Sequence, residues 1–469
     1  MQVSSTRNKW CFAVGTIGRD GVYTLVSMYF IYFLTEIVQV NNTVLAWVSS
    51  LILAARLFDA VMDIVMGSIV DNTRSRWGQF KPWIIIGMVA SAITTVLLFT
   101  DIGHSDVVTI LVFAVFYLLW SLSWTANDIP YWSLMPALTL DQKQREKIGS
   151  LTKTFATIGQ FAVVGTIIPL VGAAGGASPA GVLIGAFGSG GGWLVYVLVI
   201  VAVIMIGQLV TLIGTKVPDL VVEQEKVSVR QVFRIVVDND QLLWVAIAMV
   251  LFMTGFTTTT TFGTYFFTYA YGNPAMYTVF GIIMGLSMIG GFLLLPKLRQ
   301  RLSRRQLYTI ATGLVVAGDL IFFFAPMDIV ILGLAGVLLF IGDSFITLLM
   351  LMFIADTIDY GHWKLGHRNT AITFALQPFI NKVGAALAAQ IVAVILIWTG
   401  INQASSPDAV SLAGIWWMKA GMLLLPLLLT VIGYLIFRFK YRIDEAFYAQ
   451  IQADLAARGQ LVEGTGPLS

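Results

Sequence analysis

Twelve stretches of this sequence are apolar for long enough to cross a lipid bilayer, and that feature removes most folds from consideration. They run over residues 10–38, 44–70, 82–100, 107–136, 148–173, 181–214, 241–271, 275–296, 305–325, 328–356, 369–400 and 412–438. A hydrocarbon core takes about 20 mostly apolar residues per helix. No water reaches the peptide groups there, so each span must satisfy its own N–H and C=O groups as a helix. A membrane barrel would alternate apolar and polar residues with a period of two, and these segments do not. The sequence therefore predicts an all-α membrane protein with twelve transmembrane helices. Only 11% of the residues are charged, too few to cover a soluble surface. The lipid bilayer is the first expected partner.

The loops supply the orientation. Loop 71–81 holds Arg74, Arg76 and Lys81, and loop 137–147 holds Lys143, Arg145 and Lys147. Loop 215–240 holds Lys216, Lys226, Arg230 and Arg234. Loop 297–305 holds Lys297, Arg299, Arg301, Arg304 and Arg305, and loop 357–368 holds Lys364 and Arg368. The alternate loops, 39–43, 101–106, 174–180, 272–274, 326–327 and 401–411, hold no Lys or Arg. Basic loops stay on the cytoplasmic side, so both termini are expected there, in a cell inner (plasma) membrane. The apolar stretch after Met1–Lys9 is too long for a signal-peptide core and is read as a retained first span. The longest polar connection separates six spans from six. The expected organisation is an N-terminal six-helix bundle over 1–214, a cytoplasmic middle loop over 215–240, a C-terminal bundle over 241–440 and a cytoplasmic tail over 441–469.

Several chemistries are excluded. The net charge of +3 is small and says nothing about nucleic acid, and no nucleic-acid partner is expected. One cysteine, Cys11, forms no internal disulfide, and three histidines give no zinc constellation. No nucleophile–base set appears, so neither an enzyme nor a resident cofactor is expected. A sensor would carry a signalling domain, for which the tail after Lys440 is too short.

The informative residues are charges inside the spans, each costing about 2.5–3.5 kcal/mol at mid-bilayer. They are Arg19, Asp20, Arg56, Asp59, Asp63, Asp128, Lys153, Asp319, Asp343, Lys382 and Lys419. Asp59 and Asp63 are spaced i, i+4 and share one helix face. Two carboxylates there repel each other unless a cation or a proton intervenes. They suit a coupling-ion site of oxygen ligands, or a carboxyl pair holding one proton. Arg56, one turn earlier, can neutralise one of them. A structural Arg–Asp network is the alternative. Asp20 and Asp128 are single carboxylates near one depth. Such acids accept hydrogen bonds from sugar hydroxyls while Trp124 or Trp132 stacks on the ring; equally, Asp20 can simply pair with Arg19 or Lys153. Lys153 and Lys382 can neutralise the acids, or snorkel to the surface, which is easier for Lys153. Asp319, Asp343 and Lys419 are expected to make helix or interfacial contacts only. The run Thr257–Thr261 suits either a cavity wall or a packing face.

An internal echo supports two related halves. Ala126-Asn127-Asp128-Ile129-Pro130-Tyr131 at the end of span 4 is matched by Ala355-Asp356-Thr357-Ile358-Asp359-Tyr360 at the end of span 10. Each is followed by a basic loop and a helix bearing a lysine, Lys153 or Lys382.

These motifs together resemble the glycoside–pentoside–hexuronide:cation symporters. The resemblance is carried by Arg56-Leu57-Phe58-Asp59-Ala60-Val61-Met62-Asp63, Gly67, and Asn72-Thr73-Arg74-Ser75-Arg76-Trp77-Gly78-Gln79-Phe80-Lys81-Pro82-Trp83. Gly18-Arg19-Asp20, Asp128-Ile129-Pro130-Tyr131-Trp132-Ser133-Leu134 and Ala355 to Gly361 extend it over nearly the whole chain. It implies a major-facilitator fold of two pseudo-symmetric six-helix bundles, alternating access, and a sugar or glycoside carried with a monovalent cation, by a monomer. It places cation ligands on Asp59, Asp63 and Thr125; Asp59 and Asp63 are metal ligands if sodium is the ion. It places substrate contacts on Asp20, Asp128 and the stacking Trp132, with the basic Lys153 and with Gln377 nearby, and the lysine of span 11 on Lys382, a charge-coupling candidate; the residues themselves add Trp124 and Arg19 as substrate candidates and Arg56 for charge coupling. Two departures bear on this. Arg19 stands where the pattern has lysine. Met62 stands where it has asparagine, and a thioether is a poor ligand for sodium, which favours a proton. A same-fold transporter of a lipid or other non-sugar solute is the alternative reading.

Overall fold

A computed structural model of the chain describes residues 5–100, 105–138, 142–173, 191–216, 234, 236–366, 370–404 and 406–458. Most of the middle loop, the loop 174–180, His367 and Arg368, and the tail beyond 458 lie outside those residues. The described backbone is helical and contains no strand.

The helices are α1 (Ser5–Tyr32), α2 (Asn42–Asn72), α3 (Lys81–Leu98), α4 (Asp106–Ala137), α5 (Gln142–Ala173) and α6 (Gly191–Gly214). They continue as α7 (Asp240–Tyr265), α8 (Met276–Arg299), α9 (Arg304–Phe324), α10 (Ile329–Leu365), α11 (Thr370–Thr399), α12 (Leu412–Lys440) and α13 (Glu445–Ala457). Among the described residues nine helices are long and apolar enough to cross a membrane. The other three long helices, α1, α2 and α5, have 28, 31 and 32 residues. At about 1.5 Å per residue each exceeds a hydrocarbon core of about 30 Å. Of these, α2 is apolar over Asn42–Arg56, while α1 carries Arg19 and Asp20 and α5 carries Lys153 within their lengths. The chain is thus an all-helical, multi-pass membrane protein, as the apolar spacing predicts.

One boundary differs from the hydropathy reading. Span 10 was expected to end near 356, but α10 runs to Leu365. The extension is held by side chains. Tyr360 donates to Asp240 at 2.9 Å, and Lys364 reaches the same carboxylate at 2.5 Å. Tyr448 and Gln452 of α13 both donate to Asp359. Gly366 then closes the helix in the left-handed region that glycine adopts freely.

The chain forms two compact units whose limits cut through helices. One comprises 1–226, 260–285 and 386–419, and the other 227–259, 286–385 and 420–469. In the second unit, Leu242, Phe252, Tyr308, Phe353, Phe437 and Ile451 share one apolar core. There α13 is N-capped by Asp444 and buries Ile451 and Leu455.

In the first unit α1 is wedged between α5 and α6. A Cβ on Gly159 would lie 2.0 Å from the Ile17 carbonyl oxygen, and one on Gly18 2.4 Å from the Ile204 backbone. Only glycine permits these approaches, the small-residue packing expected within a bilayer. On the far side α3 meets α4 where a Gly87 Cβ would lie 2.4 Å from the Asn127 nitrogen. Asn127 and Gln208 exchange two amide hydrogen bonds of 2.7 Å, tying α4 to α6.

The ends of α1 and α7 repeat each other. Each widens into a π-helical turn, Phe33–Ile37 and Phe266–Ala270. Val38 N donates to Phe33 O and Val40 N to Leu34 O; Tyr271 N donates to Phe266 O and Asn273 N to Phe267 O. Positive φ follows at Gln39 and at Gly272. Every position in the second set is 233 residues after its mate, the separation of Glu36 and Tyr269. The half-chain echo suggested by spans 4 and 10 is therefore carried more closely by α1 and α7.

Candidate substrate and cation site

Two facing rows on α2 and α4 come first. Asp59 and Asp63 are one turn apart on α2, and Ser121 and Thr125 are one turn apart on α4. Ser121 Oγ donates to Asp59, and Thr125 Oγ1 donates to Asp63 at 3.0 Å. The same 62-residue separation in both pairs makes them successive rungs between two helices. Asp59 is buried and Asp63 half-buried. A carboxylate this deep needs hydrogen-bonding partners, which the hydroxyls supply.

Arg56, one turn before Asp59, is buried in a cage of rings. Its guanidinium carbon lies 5.5 Å from the Tyr23 ring centroid, 5.7 Å from Tyr117 and 5.6 Å from Trp120. Asp59 is within electrostatic reach. Among the described residues Nε and Nη1 of Arg56 have no hydrogen-bond partner.

The next turn of α4 faces α1. Arg19 Nη2 donates to Asp128 Oδ1 in a buried ion pair. Tyr131, Trp132 and Trp124 flank the guanidinium, with ring centroids at 4.7, 5.1 and 5.6 Å. Desolvated cation–π contacts of this kind are worth about 2 kcal/mol. Nε and Nη1 of Arg19 point to no partner among the described residues, and neither does Oδ2 of Asp20. Asp20 feels the charges of Arg19, Lys153 and Asp128. Lys153 is exposed on α5, and its Nζ lies 5.3 Å from the Trp132 ring centroid. Trp124 also stacks on Trp120 at 5.6 Å.

The first unit thus brings together Arg19, Asp20, Trp124, Asp128, Trp132 and Lys153 in one group, and Asp59, Asp63 and Thr125 in an adjoining one. Arg19 pairs with Asp128 rather than with its chain neighbour Asp20. Gln377 and Lys382 lie on α11 in the second unit, the former half-buried and the latter buried. Asp356, the echo of Asp128, pairs with Arg304 and accepts from Tyr441. The threonines Thr258 to Thr261 are buried; Thr258 and Thr259 donate to the backbone oxygens of Thr254 and Met422. Sequence reasoning missed Ser121, Tyr23, Tyr117 and Tyr131. Ser121 carried a usable signal, because its i, i+4 spacing to Thr125 matches that of the two acids.

Helices of this number and length, with buried charge on α1, α2 and α4, define a major-facilitator transporter fold. Solved structures agree. A proton-dependent oligopeptide transporter structure matches with a TM-score of 0.65 at 12% identity, covering 96% of this chain and 100% of that one. A bacterial homologue of the human lysosomal transporter Spinster, inward-facing and unoccupied, matches with a TM-score of 0.64 at 12% identity over 95% and 97%. The nucleoside transporter NupG matches with a TM-score of 0.59 at 16% identity over 94% and 100%. Sequence comparison is more specific. The lactose permease of Lactobacillus delbrueckii subsp. bulgaricus is 29% identical over 94% of this chain and 71% of its own length. The raffinose carrier protein of Pediococcus pentosaceus is 28% identical over 95% and 70%. The isoprimeverose transporter of Lactiplantibacillus pentosus is 24% identical over 83% and 80%. A model described as MFS/sugar transport protein matches residues 11–445. The chain belongs to that family, the glycoside–pentoside–hexuronide symporter branch of the major facilitator superfamily, as its motifs indicated.

Proposed function

We propose that the chain is a secondary active symporter of a sugar or glycoside with a proton, working by alternating access as a monomer in the cell membrane. The observation that carries this reading is the double duty of α4. One face presents Ser121 and Thr125 to the acids of α2; the next presents Trp124, Asp128 and Trp132 to Arg19 and Asp20 of α1. An ion bound at Asp59 and Asp63 and a polyol bound at Asp20 and Asp128 therefore act on one rigid helix.

The sugar hydroxyls are received by the free oxygen of Asp20, the free nitrogens of Arg19 and the Asp128 carboxylate, and Trp132 or Trp124 covers the ring. Lys153 balances the acids. Protonation of Asp59 or Asp63 removes the repulsion between them and changes the charge that Arg56 faces. A half-loaded carrier drags unpaired charge through a closed low-dielectric interface, so only the empty or doubly loaded carrier rocks readily. Gln377 and Lys382 keep the roles the family pattern gives them, substrate contact and charge coupling. Met62 offers a thioether where sodium needs an oxygen, whereas a proton needs one carboxylate. The two transporting halves are 1–214 and 241–440, joined by the cytoplasmic loop 215–240, with a cytoplasmic tail over 441–469. The basic loops face the cytoplasm, so the π-helical ends of α1 and α7 face outward. The lactose, raffinose and isoprimeverose carriers among the relatives support a glycoside substrate.

The test is uptake of a labelled glycoside panel into membrane vesicles under separately imposed proton and sodium gradients. Accumulation driven by the proton gradient is expected. Asp59→Asn and Asp63→Asn are expected to abolish uphill accumulation and leave exchange. Uphill accumulation by both variants would remove the cation role from these acids.

A further inference from the structure

The outward ends of α1 and α7 touch through related residues. Thr35 Oγ1 and Tyr265 OH are 2.7 Å apart. Thr268 reaches the Tyr32 hydroxyl in the matching contact. Since 268 − 35 and 265 − 32 both equal 233, this is one contact made twice, the mark of a twofold interface. The Tyr32 and Tyr265 rings also meet each other, at 5.4 Å.

A contact between mates in such an interface lies on the axis itself. Glu36 and Tyr269 are mates, and they bond: Tyr269 OH is 2.9 and 2.8 Å from the two carboxylate oxygens of Glu36. This is where the repeat must break. Two glutamates on the axis would repel each other, and two phenols would lose the charge-assisted bond. The half-buried carboxylate and the buried phenol sit beneath exposed Gln39 and Gly272 at the helix ends.

We propose that Glu36 and Tyr269 are the positioning residues of the outer gate. Their bond on the pseudo-twofold axis sets how long α1 and α7 stay together, and so how often the substrate site is presented to the outside. The assignment of this end as outer rests on the function proposed above; the bond as the determinant of closure does not. Neither residue touches the substrate.

The measurement is the distance between spin labels on cysteines at exposed Thr43 and Ala275, in full-length Cys11→Ala protein in lipid nanodiscs. It needs neither sugar nor cation, so failure of the transport reading leaves it interpretable. Glu36→Gln and Tyr269→Phe are each expected to raise the ratio of long to short distances roughly tenfold. The exchange Glu36→Tyr with Tyr269→Glu rebuilds the pair with its ends reversed, and is expected to return the distribution toward that of the parent. Parent-like distributions in both single variants would overturn the proposal. So would an exchange variant as open as the single ones.

Discussion

Arg19 is buried among three rings and bonded to a single carboxylate, and that arrangement makes its contributions separable. Removing one partner of a buried ion pair leaves the other charge uncompensated, at about 3–5 kcal/mol. Asp128→Ala is therefore expected to lower the melting temperature and to abolish protection by substrate. The double variant Arg19→Leu with Asp128→Leu removes both charges; it is expected to recover most of the melting temperature but none of the protection. Thermal unfolding in detergent, with and without a transported glycoside, reads both. Recovery of protection would show that the pair only holds the fold. The two acids of span 2 were legible because i, i+4 spacing on a helix is arithmetic. The partner of Arg19 was not: the chain offers Asp20 next door, and the structure uses Asp128, 109 residues away. Helix packing, rather than local sequence, makes that choice.

At the scale of elements, the position of α1 decides whether the candidate substrate group is assembled. Gly159 of α5 lies where a Cβ would sit 2.0 Å from the Ile17 oxygen, against 3.4–4 Å for ordinary contact. Gly159→Ala must push α1 away by more than an ångström, and α1 carries Arg19 and Asp20. Misplacement on that scale can cost about a hundredfold in an organised site. The variant is expected to raise the KM for sugar far more than it lowers the amount of folded protein. Uptake kinetics normalised to fluorescence-detected chromatography would show it, and unchanged KM would mean that α1 slides without consequence. The twelve spans were legible because a bilayer imposes a minimum apolar length on every helix that crosses it. The repeat at the ends of α1 and α7 was not, although Tyr32-Phe33-Leu34-Thr35 and Tyr265-Phe266-Phe267-Thr268 share three letters in four. Its fuller signature is conformational: two π-helical turns with the same hydrogen bonds, each closed at positive φ, with Gln39 doing at one end what Gly272 does at the other. A residue pattern hides such a match when a non-glycine occupies the left-handed position.

For the whole molecule, the distribution of Lys and Arg makes the sharpest claim, because it sets the sign of every other one. Five basic loops alternate with six that carry no Lys or Arg. Translocation of several unpaired basic charges is disfavoured, so the basic set is expected on the cytoplasmic side. The ends of α1 and α7, with exposed Gln39 and Asn273, belong to the set without Lys or Arg; Ser75 and Gln300, also exposed, belong to the basic one. Single cysteines at Gln39 and Asn273, in the Cys11→Ala background, are expected to react with a membrane-impermeant maleimide added to intact cells. Cysteines at Ser75 and Gln300 are expected to react only after permeabilisation. The reverse pattern would invert the proposed carrier: the Glu36–Tyr269 contact would then lie at the cytoplasmic end, and a proton for the acids of α2, as proposed, would come from the opposite compartment. The geometry around Asp59, Asp63 and Asp128 is indifferent to that choice, because a site buried between helices has no side of its own until the loops assign it one.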